Sequence, residues 1–149
     1  MTAGLDLVQL QLRVAMGERL PIAQSDVACR GHAIECRINA EDPATFAPSP
    51  GTISAWTAPG GPGVRLDTHA SSGYRMPAHY DSLLGKLVVH GESRADALMR
   101  LRAALDELRV GGIVTNLDLH RRILRDPGFV AGGVDIHHLE RVTAAGGGR

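Results

Sequence analysis

Residues 31–43 read GHAIECRINAEDP and set one arginine, Arg37, between a glutamate and an asparagine on one side of a predicted strand. Alternation is strict from His32 to Asn39. Ile34, Cys36 and Ile38 fall on one face, and Glu35, Arg37 and Asn39 on the other. A guanidinium carried on a rigid strand is pre-organised to stabilise negative charge, because its planar fork already matches the geometry of an anionic oxygen pair. The same pattern describes an ordinary strand with a polar outer face, and spacing alone does not separate the two readings.

The other candidate residues are weaker. His32, His69, His79, His90, His120, His137 and His138 show no HExxH or HxxxH spacing on a helix, so no metal site is expected. Asp81 and Ser82 sit at a predicted loop-to-strand junction in residues 79–86 (HYDSLLGK), without a nucleophile elbow, and Asp81 is expected to brace the turn. Lys86 reads as one half of a surface ion pair. Residues 59–63 (PGGPG) precede a strand rather than a helix, and no GK[ST] follows, so they form a turn and not a phosphate cradle. Arg65 and Asp67 share one strand face, as an exposed salt bridge or a subunit contact. Arg94, Arg100, Arg102 and Arg109 interleave with Asp96, Asp106 and Glu107 and read as a solvated helix face.

Composition excludes several function classes. Sixteen basic residues balance sixteen acidic ones, which argues against a dedicated nucleic-acid binder. Lys86 is the only lysine, so a nucleotide's phosphates would find few ammonium partners here. One Trp, two Tyr and two Phe leave little to stack on bases. No run of 18 apolar residues exists and no leader pattern opens the chain, so neither a membrane span nor a signal peptide is expected. Cys29 and Cys36 fit no CxxC or zinc spacing, and a reducing cytoplasm is the expected compartment.

The elements that must position Arg37 follow from periodicity. Leu7, Leu10 and Val14 mark a first helix, with Thr2 as a candidate cap and Gly17 as its stop. Strands are expected at residues 32–39, 52–57, 64–69 and 83–90. The prolines at 43, 48 and 50 force a loop between the first two. Ser93 and Asp96 form a capping box for a long helix with Leu98, Leu101, Leu105 and Leu108 as its buried stripe, ended by Gly111 and Gly112. Asn116 is expected to cap a helix to about Arg125, stopped by Pro127 and Gly128. Asp135 is expected to cap a last helix over residues 136–142, before a disordered tail at 144–149. Strands followed by helices give an α+β fold with an antiparallel sheet.

Six ordered segments then carry a resemblance. Residues 31–43, FAPSPGTI (46–53), APGGPGVRLDTH (58–69), HYDSLLGKL (79–87), GIVTNLDLH (112–120) and GGVDIHHLE (132–140) resemble the C-terminal part of biotin carboxylase, the ATP-dependent component of acetyl-CoA carboxylase and related biotin enzymes. Residues 1–30 are similar to the helix and connector that end the family's ATP-grasp region, and residues 31–143 to its C-terminal domain. The resemblance implies a ligase that activates bicarbonate with ATP as carboxyphosphate and then carboxylates N1 of biotin on a carrier protein. That is the first half-reaction of acetyl-CoA carboxylase, in fatty acid biosynthesis. It implies that Arg37 is the catalytic arginine contacting bicarbonate and the biotin ureido oxygen. Ile136 and His137 would lie beside the ATP adenine, and Arg65 at the dimer interface. Pro62 and His79 stand where the family usually has aromatic residues.

The resemblance also implies what this chain lacks. The family's phosphate-contacting lysines, Gly-rich lid, magnesium-binding glutamates and bicarbonate-binding segment all precede the part resembled here. The expectation is a C-terminal piece without turnover of its own, whose partners in the whole enzyme are a biotin carboxyl carrier protein, carboxyltransferase subunits and a second copy. The competing expectations are a non-catalytic binding or dimerisation module that keeps the fold, or an unrelated α+β binding domain.

Overall fold

The computed structural model describes residues 1–146. Strand β1 (His32–Asn39) pairs antiparallel with β6 (Leu83–Gly91), and β6 pairs antiparallel with β4 (Val64–Thr68), giving a three-stranded sheet in the order β1-β6-β4. Helix α2 (Arg94–Glu107) lies across one face of that sheet. The expected stripe is what it buries: Leu98, Leu101, Leu105 and Leu108 pack with Ile38, Leu87 and Val89. Each such side chain contributes about 1.5–3 kcal/mol when fully buried. The capping box forms as read: the Ser93 hydroxyl accepts from the Asp96 amide, and the Asp96 carboxylate accepts from Ser93 N–H. Gly91 joins β6 to α2 where a Cβ would stand 2.6 Å from the Ala97 nitrogen, so only glycine allows so close an approach.

The expected strand at 52–57 is two strands with different partners. β2 (Gly51–Thr52) pairs with β5 (Arg75–Met76), and β3 (Ala55–Thr57) pairs with β7 (Arg109–Gly111). The switch falls at buried Ile53, whose N–H donates to Tyr74 O, while Ser54 N–H donates to Gly111 O. Alternation within six residues cannot reveal a change of partner, and β5 and β7 are too short to show a period. α2 therefore ends at Glu107 with Leu108 as its cap, before Gly111 and Gly112, because residues 109–111 are taken by β7.

The helix ends bring further corrections. Asp6, not Thr2, caps α1 (Leu7–Ala15), its carboxylate accepting from Gln9 N–H at 2.9 Å. α3 (Leu117–Ile123) stops before Arg125. Pro127 opens a new helix, α4 (Pro127–Ala131), where its missing N–H costs nothing and Asp126 is the cap. α5 (His138–Gly146) begins after Ile136 and His137 and continues through 144–146, where a disordered tail is expected from composition; residues 147–149 lie outside the described residues. The α2 arginines are not merely solvated. Arg94 donates to the carbonyls of Phe129 and Val130, Arg100 to His90, and Arg102 to Leu124, tying α2 to the elements around it.

Helix α1 buries none of its residues: Leu7, Val8, Leu12, Val14 and Met16 are all exposed. An amphipathic helix with its apolar side in water is a surface that single exposed residues do not explain.

Candidate functional site

The sheet face opposite α2 is open. Register across the three strands places Arg37 opposite Lys86, and Lys86 opposite Asp67; the next row is Glu35, Val88 and Arg65. Arg37, Lys86, Glu35, Arg65 and Asp67 are all exposed. Side chains directly opposite on adjacent strands stand about 4.5–5.5 Å apart at Cβ, so this face is one charged surface. Arg65 and Asp67 form the expected salt bridge, Nε to Oδ1 at 2.8 Å. Lys86 makes no ion pair among the described residues, contrary to the expectation for it, because the carboxylate it faces is already held by Arg65. Among the same residues Arg37 makes none either, despite Glu35 two positions away.

β1 is an edge strand, and its free edge is closed by the start of α3. Asn116, buried at the expected N-cap position of α3 but with its side chain making no capping bond, does most of this. Its backbone N–H donates to Asn39 O at 3.1 Å, its Oδ1 accepts from Asn39 N–H at 2.9 Å, and its Nδ2 donates to Arg37 O at 3.0 Å. Asn116 thus replaces the missing neighbouring strand. His120, one turn along α3, places Nε2 at 2.9 Å from the same Arg37 carbonyl. Burial holds the His120 imidazole below its ordinary pKa, opposed by that hydrogen bond, so it donates as a neutral ring near pH 7. The Arg37 backbone is therefore gripped by β6 on one edge and by two side chains on the other, while its guanidinium stays free. Asn39, next along the same face, donates from Nδ2 to Glu41 at 3.1 Å, but its Oδ1 is buried without a partner. Beneath Arg37, burial next to Glu35 pushes the Cys36 thiol up to about 12, which leaves it inert as a nucleophile.

Ile136 and His137 belong to a different feature. Ile136 is 90% exposed, at the rim of an open apolar depression lined by Ile123, Phe129, Val134, Leu139 and Val142. Asp126 and His138 supply its polar edge, Oδ1 to Nε2 at 2.7 Å. His137 turns away to Glu140, at 3.2 Å. The fold thus gathers Arg37 and Arg65 on one sheet face and leaves Ile136 and His137 off it. Asp81 braces its turn as expected, accepting from Leu83 N–H at 2.8 Å. Among the described residues, no group of three or more His, Cys, Asp or Glu is arranged to hold a metal ion.

The sequence model described as the biotin carboxylase C-terminal domain matches residues 35–141. The chain belongs to this family. The match opens two residues before Arg37 and takes in the clamp, Lys86 and all of the apolar depression but Val142. Among relatives, the biotin carboxylase of Pseudomonas aeruginosa is 57% identical over 141 residues, covering 95% of this chain and 31% of that protein. The biotin carboxylase of Nostoc sp. is 48% identical over 144 residues, covering 96% of this chain and 32% of that one. Among solved structures, the biotin carboxylase domain dimer of Hydrogenobacter thermophilus 2-oxoglutarate carboxylase, in complex with MgADP, ADP and bicarbonate, superposes with a TM-score of 0.91 at 42% identity. That superposition covers 95% of this chain and 31% of the other. This biotin carboxylase C-terminal domain spans about a third of the length of the curated relatives it matches.

Within this family member, two contributors are invisible to sequence reasoning. Asn116 looks like a helix cap because it precedes a helical period, yet its side chain turns to β1, 77 residues away. His120 is one of seven histidines, and only the packing of α3 against the β1 edge distinguishes it. A histidine next to the apolar Leu117 and Leu119 of a short helix is the one signal that could have pointed to it.

Proposed function

We propose that this chain supplies the biotin-facing part of a biotin carboxylase, the ligase that uses ATP and bicarbonate to carboxylate biotin on a carrier protein. Arg37 is its catalytic residue. The observation that carries the reading is the free guanidinium of Arg37 on a backbone clamped from both edges. A donor fixed before reaction needs no reorganisation when charge develops, and one such donor contributes about 10²–10³ in rate. Deprotonated biotin bears that charge on its ureido oxygen.

The residues fit part of the family's ligand set. Exposed Ile136 beside an apolar depression suits one face of a planar base, as adenine requires, with His137 adjacent. The one lysine for phosphates, Lys86, is on the other feature, and magnesium has no acidic cluster among the described residues. ATP, magnesium and much of the bicarbonate contact therefore belong to parts of the family's enzymes that this chain does not span. Arg65, exposed on the sheet face, is assigned to a homodimer contact, and the reaction to a cytoplasmic complex with carrier protein and carboxyltransferase subunits. The chain alone is expected to turn nothing over.

The test is a chimera. Replacing the matching third of the Pseudomonas aeruginosa biotin carboxylase with this chain should yield an enzyme whose ATP hydrolysis depends on bicarbonate and biotin, while the isolated chain yields none. A folded chimera without biotin-dependent activity would contradict the assignment, and activity from the isolated chain would contradict the claim that it is incomplete.

A further inference from the structure

The apolar depression has a rim that does not hold itself in place. Ile136 is 90% exposed, so its own packing fixes little. It lies in the connection from α4 to α5, after Gly132 and Gly133, whose φ angles of 89° and 75° glycine alone adopts readily. Inside that connection the ties are local: Asp135 Oδ1 accepts from His137 N–H at 3.0 Å and from Arg141 at 2.9 Å. Among the described residues, one hydrogen bond joins residues 134–143 to the rest of the chain. It runs from His138 Nε2–H to Asp126 Oδ1 at 2.7 Å, between side chains only 19% and 22% exposed.

The far end of that bond is anchored. The same Asp126 Oδ1 caps α4 by accepting from Phe129 N–H at 2.7 Å. Arg94, at the start of α2, donates to the carbonyls of Phe129 and Val130 near the end of α4 and to His32 Nε2 at the start of β1, the last at 3.2 Å. Its guanidinium also stands 5.2 Å from the centre of the Phe129 ring. Phe129 and Val130 pack on the core, whereas no described residue of α5 joins it. The His138 ring sits close over the start of α4, where a Cβ on Gly128 would stand 3.1 Å from its Cε1.

We propose that His138 is a positioning residue for the nucleotide: through Asp126 it fixes Ile136 against the anchored α4, so that the rim is set before a base arrives. This rests on the assignment of Ile136 to the adenine. A rim that is in place only part of the time weakens apparent affinity by that fraction. A hydrogen bond to a carboxylate is among the stronger single ties available to hold it. His138 itself acts only through Ile136, so its influence is confined to base binding and leaves the Arg37 face unaffected.

The experiment has two arms. In the full chain, amide relaxation reads the rim itself. Ile136 should show an order parameter of about 0.85, falling below about 0.6 in His138→Ala and recovering in His138→Gln, whose amide keeps a donor at the Nε2 position. In the chimeric biotin carboxylase, Ile136→Ala should raise the KM for ATP about tenfold, as loss of an apolar face against the base does. His138→Ala should raise it about fivefold, with kcat and the KM for bicarbonate within about twofold of the parent. His138→Gln should return the KM for ATP to within about twofold. The double variant should exceed Ile136→Ala by no more than about twofold, because nothing is then left to position. If His138→Ala leaves the order parameter or the KM for ATP unchanged, or the two effects multiply, the inference fails. A fall in kcat shared with a rise in the KM for bicarbonate marks a merely structural role and also overturns it. The assignment of Ile136 is judged by Ile136→Ala alone: an unchanged KM for ATP there overturns that assignment and the inference with it.

Discussion

Asn116→Ala is the most informative single change to the architecture of the site. Asn116 is 6% exposed and supplies two side-chain hydrogen bonds to the edge of β1, to Arg37 O at 3.0 Å and from Asn39 N–H at 2.9 Å. Its backbone bond to Asn39 O survives the substitution. Two bonds at about 1 kcal/mol each are lost, and the partly buried Asn39 N–H is left without an acceptor, at about 1–3 kcal/mol; Arg37 O keeps His120. The total is about 3–5 kcal/mol, a large share of the roughly 5–15 kcal/mol that holds a domain of this kind. Urea unfolding reads it directly. With a slope of about 1.5 kcal/mol/M, the midpoint should fall by about 2–3 M at unchanged slope. Asn116→Asp keeps the acceptor for Asn39 and loses the donor to Arg37, so it should fall less. Asp118→Ala, on the exposed side of the same helix, should change stability by under about 0.5 kcal/mol. An Asn116→Ala midpoint matching that of Asp118→Ala would refute the view that Asn116 closes the strand edge.

Three further outcomes are expected. A thiol reagent at pH 8 should modify exposed Cys29 at once and Cys36 only on unfolding, since burial holds the Cys36 thiol at about 12; two fast thiols would contradict this. His120 has a folded pKa below its ordinary 6.5, so the unfolded chain binds more protons and stability falls as pH drops below about 6.5. His120→Gln, which still donates to Arg37 O, should lose less between pH 7.5 and 5.5 than wild type, and an identical loss would exclude His120 as a contributor. Leu101→Ala, at a fully buried position facing the sheet, should cost about 2–5 kcal/mol in the same urea assay.

Much of this architecture is legible from residues alone, for identifiable reasons. β1 alternates over eight residues, long enough for period and burial to agree, so both the strand and the outward face of Arg37 follow from it. α2 carries a capping box and a four-leucine stripe, two independent local signals. The segment at 52–57 reads as one strand because its halves pair with segments of two and three residues, and such pairings are fixed by tertiary contact. Asn116 and Pro127 mislead for the same cause. Each fits two local roles, cap or brace and stop or start, and only the position of β1 and α4 decides between them. Lys86 reads as half of an ion pair because a lysine usually finds a partner; that Asp67 is already taken is a fact of the β4–β6 register, not of spacing along the chain.

The most direct measurement is the effect of Arg37→Met in the chimeric biotin carboxylase on biotin-dependent kcat and on the KM for ATP. A fixed oxyanion donor predicts a fall in kcat of about 10²–10³ with the KM for ATP nearly unchanged, because Ile136, assigned to the adenine, is on a separate feature. A kcat within about twofold of the parent chimera would contradict the assignment of Arg37 as the catalytic guanidinium.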